Sequence, residues 1–356
     1  MAYTREEKAM IWLDSFPLDY AKKAALLKAA RDPYALAARF EEFAPLIEEK
    51  GGAAIAEKMR ASLCGDYMPK LLALYAESGI SCVTCFSSLY PESLRAIGDP
   101  PFVLYCKGDT SLLGGRKFAV VGSRRTLPDV MKRTEKFAEA LAGAFVIVTG
   151  LAEGGDTAAL EGALKGGGAI SVLAYGFSHV YPECNRALLE KAVKSGLALT
   201  EYVPWQGPKK YLFPARNRII AGLSEGVLVV SGGMKSGTRI TAERAYDYGR
   251  DVFAFPYGIG VNSGEGCNKL IKDYAKLTDD LVDITSVFGI NLTEKEKTPL
   301  SDTERKVLAC LGEGGAHVSE IAEKTGMREA ELSPLLILLQ MKNRVVSLGG
   351  NRWGKT

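Results

Sequence analysis

Six short runs of β-branched and other apolar residues, 118–121, 145–148, 169–173, 197–200, 227–230 and 252–255, recur through the middle of the chain. They lack the alternating polar positions of a strand with one wet face. The segments between them, such as 129–141 and 156–165, have helical character and are long enough to be crossover helices. Strands apolar on both faces and joined by helices form a parallel sheet covered on both sides. The expected fold class is therefore α/β, with a doubly wound and mostly parallel sheet. At 356 residues and 47% hydrophobic content the chain can bury a sizeable core and hold more than one domain. Lys plus Arg number 45 against 42 Asp plus Glu, which excludes a basic polymer, an acidic tail or a disordered chain.

The flanks differ from the middle. Residues up to about 85 are rich in Ala, Leu, Lys and Glu, with helical periodicity in 21–30 and 69–77. Pro33, Pro45, the pair Gly51 and Gly52, and Pro69 are expected to cut this part into short helices. The polar stretch 291–299 reads as a linker. Beyond it, 302–311, 318–325 and 328–341 read as three helices, followed by a hairpin over 345–353 turning at Gly349, Gly350 and Asn351. Three helices and a hairpin suggest a winged helix-turn-helix. The expected division is a helical domain over 1–85, an α/β domain over 86–290 and a winged-helix domain over 300–356. No apolar run approaches the ~18 residues that span a bilayer, and the first residues lack the apolar core of a signal peptide. Seven scattered cysteines do not make a disulfide framework, so a cytoplasmic protein with reduced thiols is expected.

Ligands of open α/β sheets bind beyond the carboxyl ends of the strands. The loop after the first run is Gly122, Ser123, Arg124, Arg125, with a glycine for close backbone approach and arginines for phosphate. The loops 149–156 and 231–238 are glycine-rich and open helices, as anion nests do. None matches the dinucleotide fingerprint, and Gly237 and Thr238 stand where a P-loop requires lysine.

In the helical segment 209–223, Ile219, Ile220 and Leu223 form the buried stripe. Arg216 falls on the same side, facing either an anion in the crevice or an internal carboxylate. Arg218 falls opposite and is expected to reach outward. Window 205–250 holds eight basic and three acidic residues. Its Lys209, Lys210, Tyr211 and Phe213 suit single-stranded nucleic acid, with cations for phosphates and rings for bases. His179 and His317 lie far apart, and neither adjoins a nucleophile signature. Cys82 and Cys85 form a lone C-x-x-C that reads as packed thiols rather than a zinc site. No catalytic residue, metal or cofactor is expected.

Taken in order, these motifs resemble the DprA/Smf family of DNA-processing proteins. The run Phe213, Pro214, Ala215, Arg216, Asn217, Arg218, Ile219, Ile220, Ala221, Gly222, Leu223 is the most specific. It is preceded by segments 90–94, 99–101, 104–108, 121–124 and 150–152 and by Tyr181 with Pro182. Ser236, Gly237, Thr238, then Thr241 with Ala242 and Gly249 with Arg250, come after it. The resemblance implies an extended Rossmann-like domain in a homodimer that is not an enzyme. Such a protein would bind and protect incoming single-stranded DNA and load the RecA recombinase during natural transformation. Its DNA-binding roles fall on Gly122, Ser123, Arg124, Lys210, Phe213, Arg216, Asn217 and Arg218, with Ser236, Gly237 and Thr238 completing the pocket. The N-terminal helices resemble the SAM or helix-hairpin-helix-like domain of the family, and the tail its winged helix. The tail's recognition helix, 328–342, is largely Leu, Ile and Glu, which favours protein contact over groove reading.

The chain departs from the family pattern at Thr149, Gly155, Leu160, Ser231 and Tyr257. An alternative resemblance is to nucleotide-hydrolysing phosphoribohydrolases of the LOG type, through Gly232, Gly233, Gly237 and Thr238. Their glutamate three residues after the threonine is Thr241 here, and Glu243 is the nearest carboxylate in sequence.

Overall fold

A computed structural model describes residues 3–290, 300–312, 314–341 and 344–355. The chain forms two compact units that divide near residue 292. The first opens with six helices: α1 (Arg5–Asp14), α2 (Tyr20–Ala30), α3 (Pro33–Ala38), α4 (Phe40–Gly51), α5 (Ala53–Ser62) and α6 (Tyr67–Glu77). Thr4 and Glu7 cap α1 reciprocally, and Pro33 takes the first position of α3, where its missing N–H costs nothing. Pro45 lies inside α4 and does not end it, contrary to the sequence expectation. Buried Phe40, Ala44 and Ile47 hold the helix on both sides of the proline, and the break comes at Gly52, whose φ is +87°.

These helices enclose Met10, Ile11, Trp12, Leu26, Leu36 and Ile47 in a core shared with Cys82, Val103 and Tyr105 of the sheet. Asp14 accepts from Lys23 Nζ at 2.6 Å and from the Tyr105 hydroxyl at 2.8 Å, closing the seam with satisfied polar groups.

The sheet comprises β1 (Ser81–Thr84), β2 (Val103–Gly108), β3 (Lys117–Val121), β4 (Val146–Thr149), β5 (Ala169–Val172), β6 (Leu197–Thr200), β7 (Gly226–Val229), β8 (Asp251–Ala254) and β9 (Lys276–Leu277). Their spatial order is β1-β2-β6-β5-β4-β3-β7-β8-β9. Pairing from β6 to β9 is parallel throughout, whereas β2 runs antiparallel to both β1 and β6. Strands β3 to β8 coincide with the six apolar runs. The sheet begins at Ser81, upstream of the boundary expected at residue 86.

The remaining α-helices of this unit are α7 (Glu92–Arg95), α8 (Pro128–Leu141), α9 (Gly155–Gly166), α10 (Arg186–Ser195), α11 (Leu212–Leu223), α12 (Gly237–Asp247), α13 (Glu265–Asp273) and α14 (Val282–Thr285). Ala119 and Val121 of β3 face Ile219, Ile220 and Ala242 on one side. Phe118 and Val120 face Phe137, Leu141 and Leu160 on the other, the period-two division of a sheet covered on both faces. From β3 the chain winds outward through β4, β5 and β6, then returns to place β7 on the other side of β3. This reversal opens a crevice at the carboxyl ends of β3 and β7.

The second unit contains α15 (Asp302–Ala309), β10 (Ala316–His317), α16 (Val318–Thr325), α17 (Glu329–Met341), β11 (Val345–Gly349) and β12 (Arg352–Lys355), with its strands in the order β10-β12-β11. Val307, Ile321, Leu332, Leu336, Leu339 and Val345 form its core, giving the expected winged-helix arrangement. The expected linker 291–299 lies outside the described residues. Among the described residues no helix is long and apolar enough to cross a membrane.

Candidate functional site

The crevice is built by loops that lock into one another. At the end of β3, a Cβ on Gly122 would lie 2.6 Å from Gly155 Cα, so both loops need glycine where their backbones touch. The Gly122 amide donates to Asp156 Oδ1 at 3.0 Å, and the Ala152 amide to Oδ2 at 3.3 Å. The Ser123 amide reaches across to Ser231, whose hydroxyl also hydrogen-bonds with the Thr126 hydroxyl. The loops after β3, β4 and β7 are thereby tied together, and Ser231, a departure from the family pattern, is the knot. Leu160, another departure, is fully buried in the core.

Helix α11 supplies the floor. Arg216, only 4% exposed, donates from Nη1 to the Gly150 carbonyl at 2.7 Å and to the Val172 carbonyl, and from Nε to Asn217 Oδ1 at 3.2 Å. Asn217 Nδ2 in turn donates to the Gly237 carbonyl at 3.1 Å, fixing α11 against the start of α12. Ser236 caps α12 by accepting from the Thr238 amide, and Thr238 Oγ1 donates to the Ser231 carbonyl. Burial pushes the Asp156 carboxyl above its ordinary range, opposed by the charge of Arg216 and the amides that donate to it. Burial likewise draws the Arg216 guanidinium below its usual value, opposed by Asp156.

Above this floor lies a cleft of about 330 Å3. Nine of the eleven residues singled out in the sequence line it: Gly122, Ser123, Arg124, Phe213, Arg216, Asn217, Ser236, Gly237 and Thr238. At the rim the exposed Arg124 guanidinium sits 5.7 Å from the ring centres of both Tyr181 and Phe213. Those two rings meet edge to face at 5.4 Å. The arrangement joins one exposed cation and two rings to a polar, dipole-oriented floor, which suits a nucleotide of a flexible strand.

The other two residues lie elsewhere. Lys210 is exposed, just before α11 and outside the cleft. Arg218 does not reach outward. Every residue of α11 from Arg216 to Leu223 is buried, so the helix has no wet face there. Arg218 instead donates from Nε to Asp99 Oδ2 at 2.9 Å and from Nη2 to Glu201 Oε2 at 2.6 Å. These carboxylates hold its charge against the penalty of burial.

Three contributors, Asp156, Thr241 and Tyr181, lie in the motifs and loops read from the sequence but were given no binding role there. Asp156 carried a signal, being the carboxylate that closes the glycine-rich loop as its helix begins. Thr241 lines the cleft at the position of the phosphoribohydrolase glutamate, while Glu243 is exposed and pairs with Arg239 at 3.2 Å. His179 faces the Trp205 carbonyl and His317 caps α16. Burial pushes the Cys82 thiol up to about 12 and that of Cys85 up to about 11, and among the described residues no group of His, Cys, Asp or Glu is placed to hold a metal.

Comparison with known proteins points the same way. Residues 81–289 match the family described as DNA recombination-mediator protein A, and residues 293–351 match the DprA winged helix domain. DNA processing protein DprA of Streptococcus pneumoniae is 45% identical over 200 residues, covering 56% of this chain and 71% of that protein. Protein Smf of Escherichia coli is 34% identical over 278 residues, covering 74% of each. The X-ray structure of S. pneumoniae DprA superposes with a TM-score of 0.68 at 34% identity, covering 80% of this chain and 98% of that one. DNA processing protein A of Helicobacter pylori, whose structure concerns its single-stranded DNA binding mode, superposes at 0.54 with 32% identity, covering 59% and 95%. With its interlocked loops, its arginine and aromatic rim and its winged-helix tail, this chain belongs to the DprA/Smf family of DNA recombination-mediator proteins.

Proposed function

We propose that this protein binds single-stranded DNA in the cleft between the ends of β3, β4 and β7, shields the strand, and helps load the RecA recombinase onto it during natural transformation. It acts in the cytoplasm as a homodimer and without catalysis. One observation carries the reading: nine motif residues scattered over more than a hundred positions converge on a single cleft whose rim pairs Arg124 with Phe213 and Tyr181. Lys210 contributes from the exposed approach to α11, steering phosphates toward the rim. Arg218 contributes indirectly, by holding α11 in place. The single-stranded DNA binding of the H. pylori relative supports the choice of ligand.

The test is fluorescence anisotropy with a labelled oligonucleotide, single-stranded and then annealed, across a salt series. Preference for the single strand is expected, with the logarithm of affinity falling linearly in the logarithm of salt. A double variant Arg124→Ala, Phe213→Ala should lose tenfold or more. Parent-like binding by that variant would falsify the proposal. Faster RecA assembly on the strand when the protein is added tests the loading step.

A further inference from the structure

The cleft does not stand alone on its edge of the sheet. The loop carrying Tyr181 is bonded to the one that follows β6. The Gly176 amide donates to the Gln206 carbonyl at 2.8 Å and the Ser178 amide to the Pro204 carbonyl at 2.9 Å, and His179 Nε2 lies 3.3 Å from the Trp205 carbonyl. Trp205 then stacks on Tyr75 of α6, with centroids 6.5 Å apart and planes 25° from parallel. Tyr75 packs edge-on against Tyr105, which pairs with Thr200, the last residue of β6. Trp205 therefore sits at the carboxyl end of β6, the same edge that bears the cleft. The ends of β4 and β6 are two strand spacings apart, ~10 Å.

Trp205 is a large aromatic left 48% exposed beside Leu74, itself 49% exposed. Both border an apolar groove of about 780 Å3 whose lining holds Lys58 and an exposed Lys70 paired with Asp66 at 2.8 Å, leaving a net positive charge. On the approach to α11, Lys209 lies over the ring of Tyr211, which is 64% exposed. A ring with an open face, a basic border and an unbroken bonded surface leading from Tyr181 match a flexible polyanion carrying flat bases.

We propose that a single strand held in the cleft continues along the sheet edge and stacks a base on Trp205, with its phosphates passing Lys70 and Lys58. This second station rests on the cleft's being the primary DNA site. It would make the N-terminal helices part of the DNA track and set a longer footprint than the cleft requires.

The experiment compares a short oligonucleotide of about 6 nucleotides with a long one of about 16, both inside the range of ~4–16 nucleotides of known single-strand sites. Tryptophan fluorescence and anisotropy are both recorded on the full chain. The long strand is expected to quench emission and the short one to leave it near the free value; Trp12 is buried, and Trp205→Phe, which keeps Trp12 and the half-buried Trp353 of the second unit, should abolish the quenching. Trp205→Ala should weaken the long strand about tenfold and the short one less than twofold, while Trp205→Phe should restore most of the loss. A charge-reversed Lys58→Glu, Lys70→Glu variant should show the same length dependence without touching the aromatic stack. If both lengths bind the parent but neither variant changes the long one, the second station is refuted and the cleft stands. If neither length binds the parent, the primary reading fails instead. Undiminished DNA binding together with Trp205 emission that responds only to an added protein would also refute the DNA track.

Discussion

Arg218 Nη2 donates to Glu201 Oε2 at 2.6 Å, an ion pair in which the arginine side chain is 9% exposed and the glutamate 16%. An arginine at the heart of the family motif thus serves the fold. Removing it strands a buried carboxylate that burial already pushes toward its neutral form. Arg218→Ala is expected to cost ~3–5 kcal/mol in urea unfolding. Any loss of DNA binding should track the unfolded fraction and leave the salt slope of the folded protein unchanged.

Arg124 behaves differently because it is exposed and lies over rings, not carboxylates. Arg124→Ala should leave the unfolding midpoint alone, weaken single-strand binding by roughly tenfold and flatten the salt dependence by about one phosphate contact. Arg124→Lys should keep the slope, since the charge remains, yet recover little affinity, since an ammonium does not stack as a guanidinium does. A salt series of anisotropy titrations on the three proteins separates the two effects.

Gly122→Ala places a methyl 2.6 Å from Gly155 Cα and 2.7 Å from Val230 Cγ2. Neither neighbour is a flexible chain end, so the loops after β3 and β4 must part. A loss of ~1–3 kcal/mol in stability is expected, with DNA affinity falling as well because the cleft's walls separate. Parent-like stability and binding would show that the contact between the loops yields without cost.

Asp156 offers a pH test. Its carboxyl is raised above the ordinary value of 3.8, with burial the largest cause. A raised acid binds its proton more readily in the folded state. Its stabilising contribution is therefore full below that ordinary value and lost as pH climbs through the folded one. The parent's unfolding free energy minus that of Asp156→Asn should shrink as pH rises from about 4 toward neutrality. A difference that widens over that range would show that attraction to Arg216 outweighs burial.

Much of this was legible in the sequence, for a physical reason in each case. Strands β3 to β8 stand out because burial on both faces demands nearly unbroken apolar runs. The antiparallel β2 hides because its Tyr105 and Cys106 lie among family-motif residues without a flanking crossover helix. Two exposed residues, Lys276 and Leu277, make up β9, too few for any pattern. The cleft was legible because strand-end loops in such a sheet have one place to meet. The basic window misled in part. Arg216 and Arg218 answer to Asp156, Asp99 and Glu201, and all three carboxylates lie outside residues 205–250. Charge counted along a chain omits partners that folding brings from afar.

The core that α1 to α6 share with Cys82, Val103 and Tyr105 bears on how this protein can be cut. The family match begins at residue 81, which invites a truncation there. A fragment starting at that point would keep every strand, but it would bare an aromatic, apolar sheet face and leave the Tyr105 hydroxyl without Asp14. Such a surface is adhesive. The helical segment is better regarded as the lid of a hydrophobic box than as a detachable module, and a fragment made without it should be handled as an aggregation hazard.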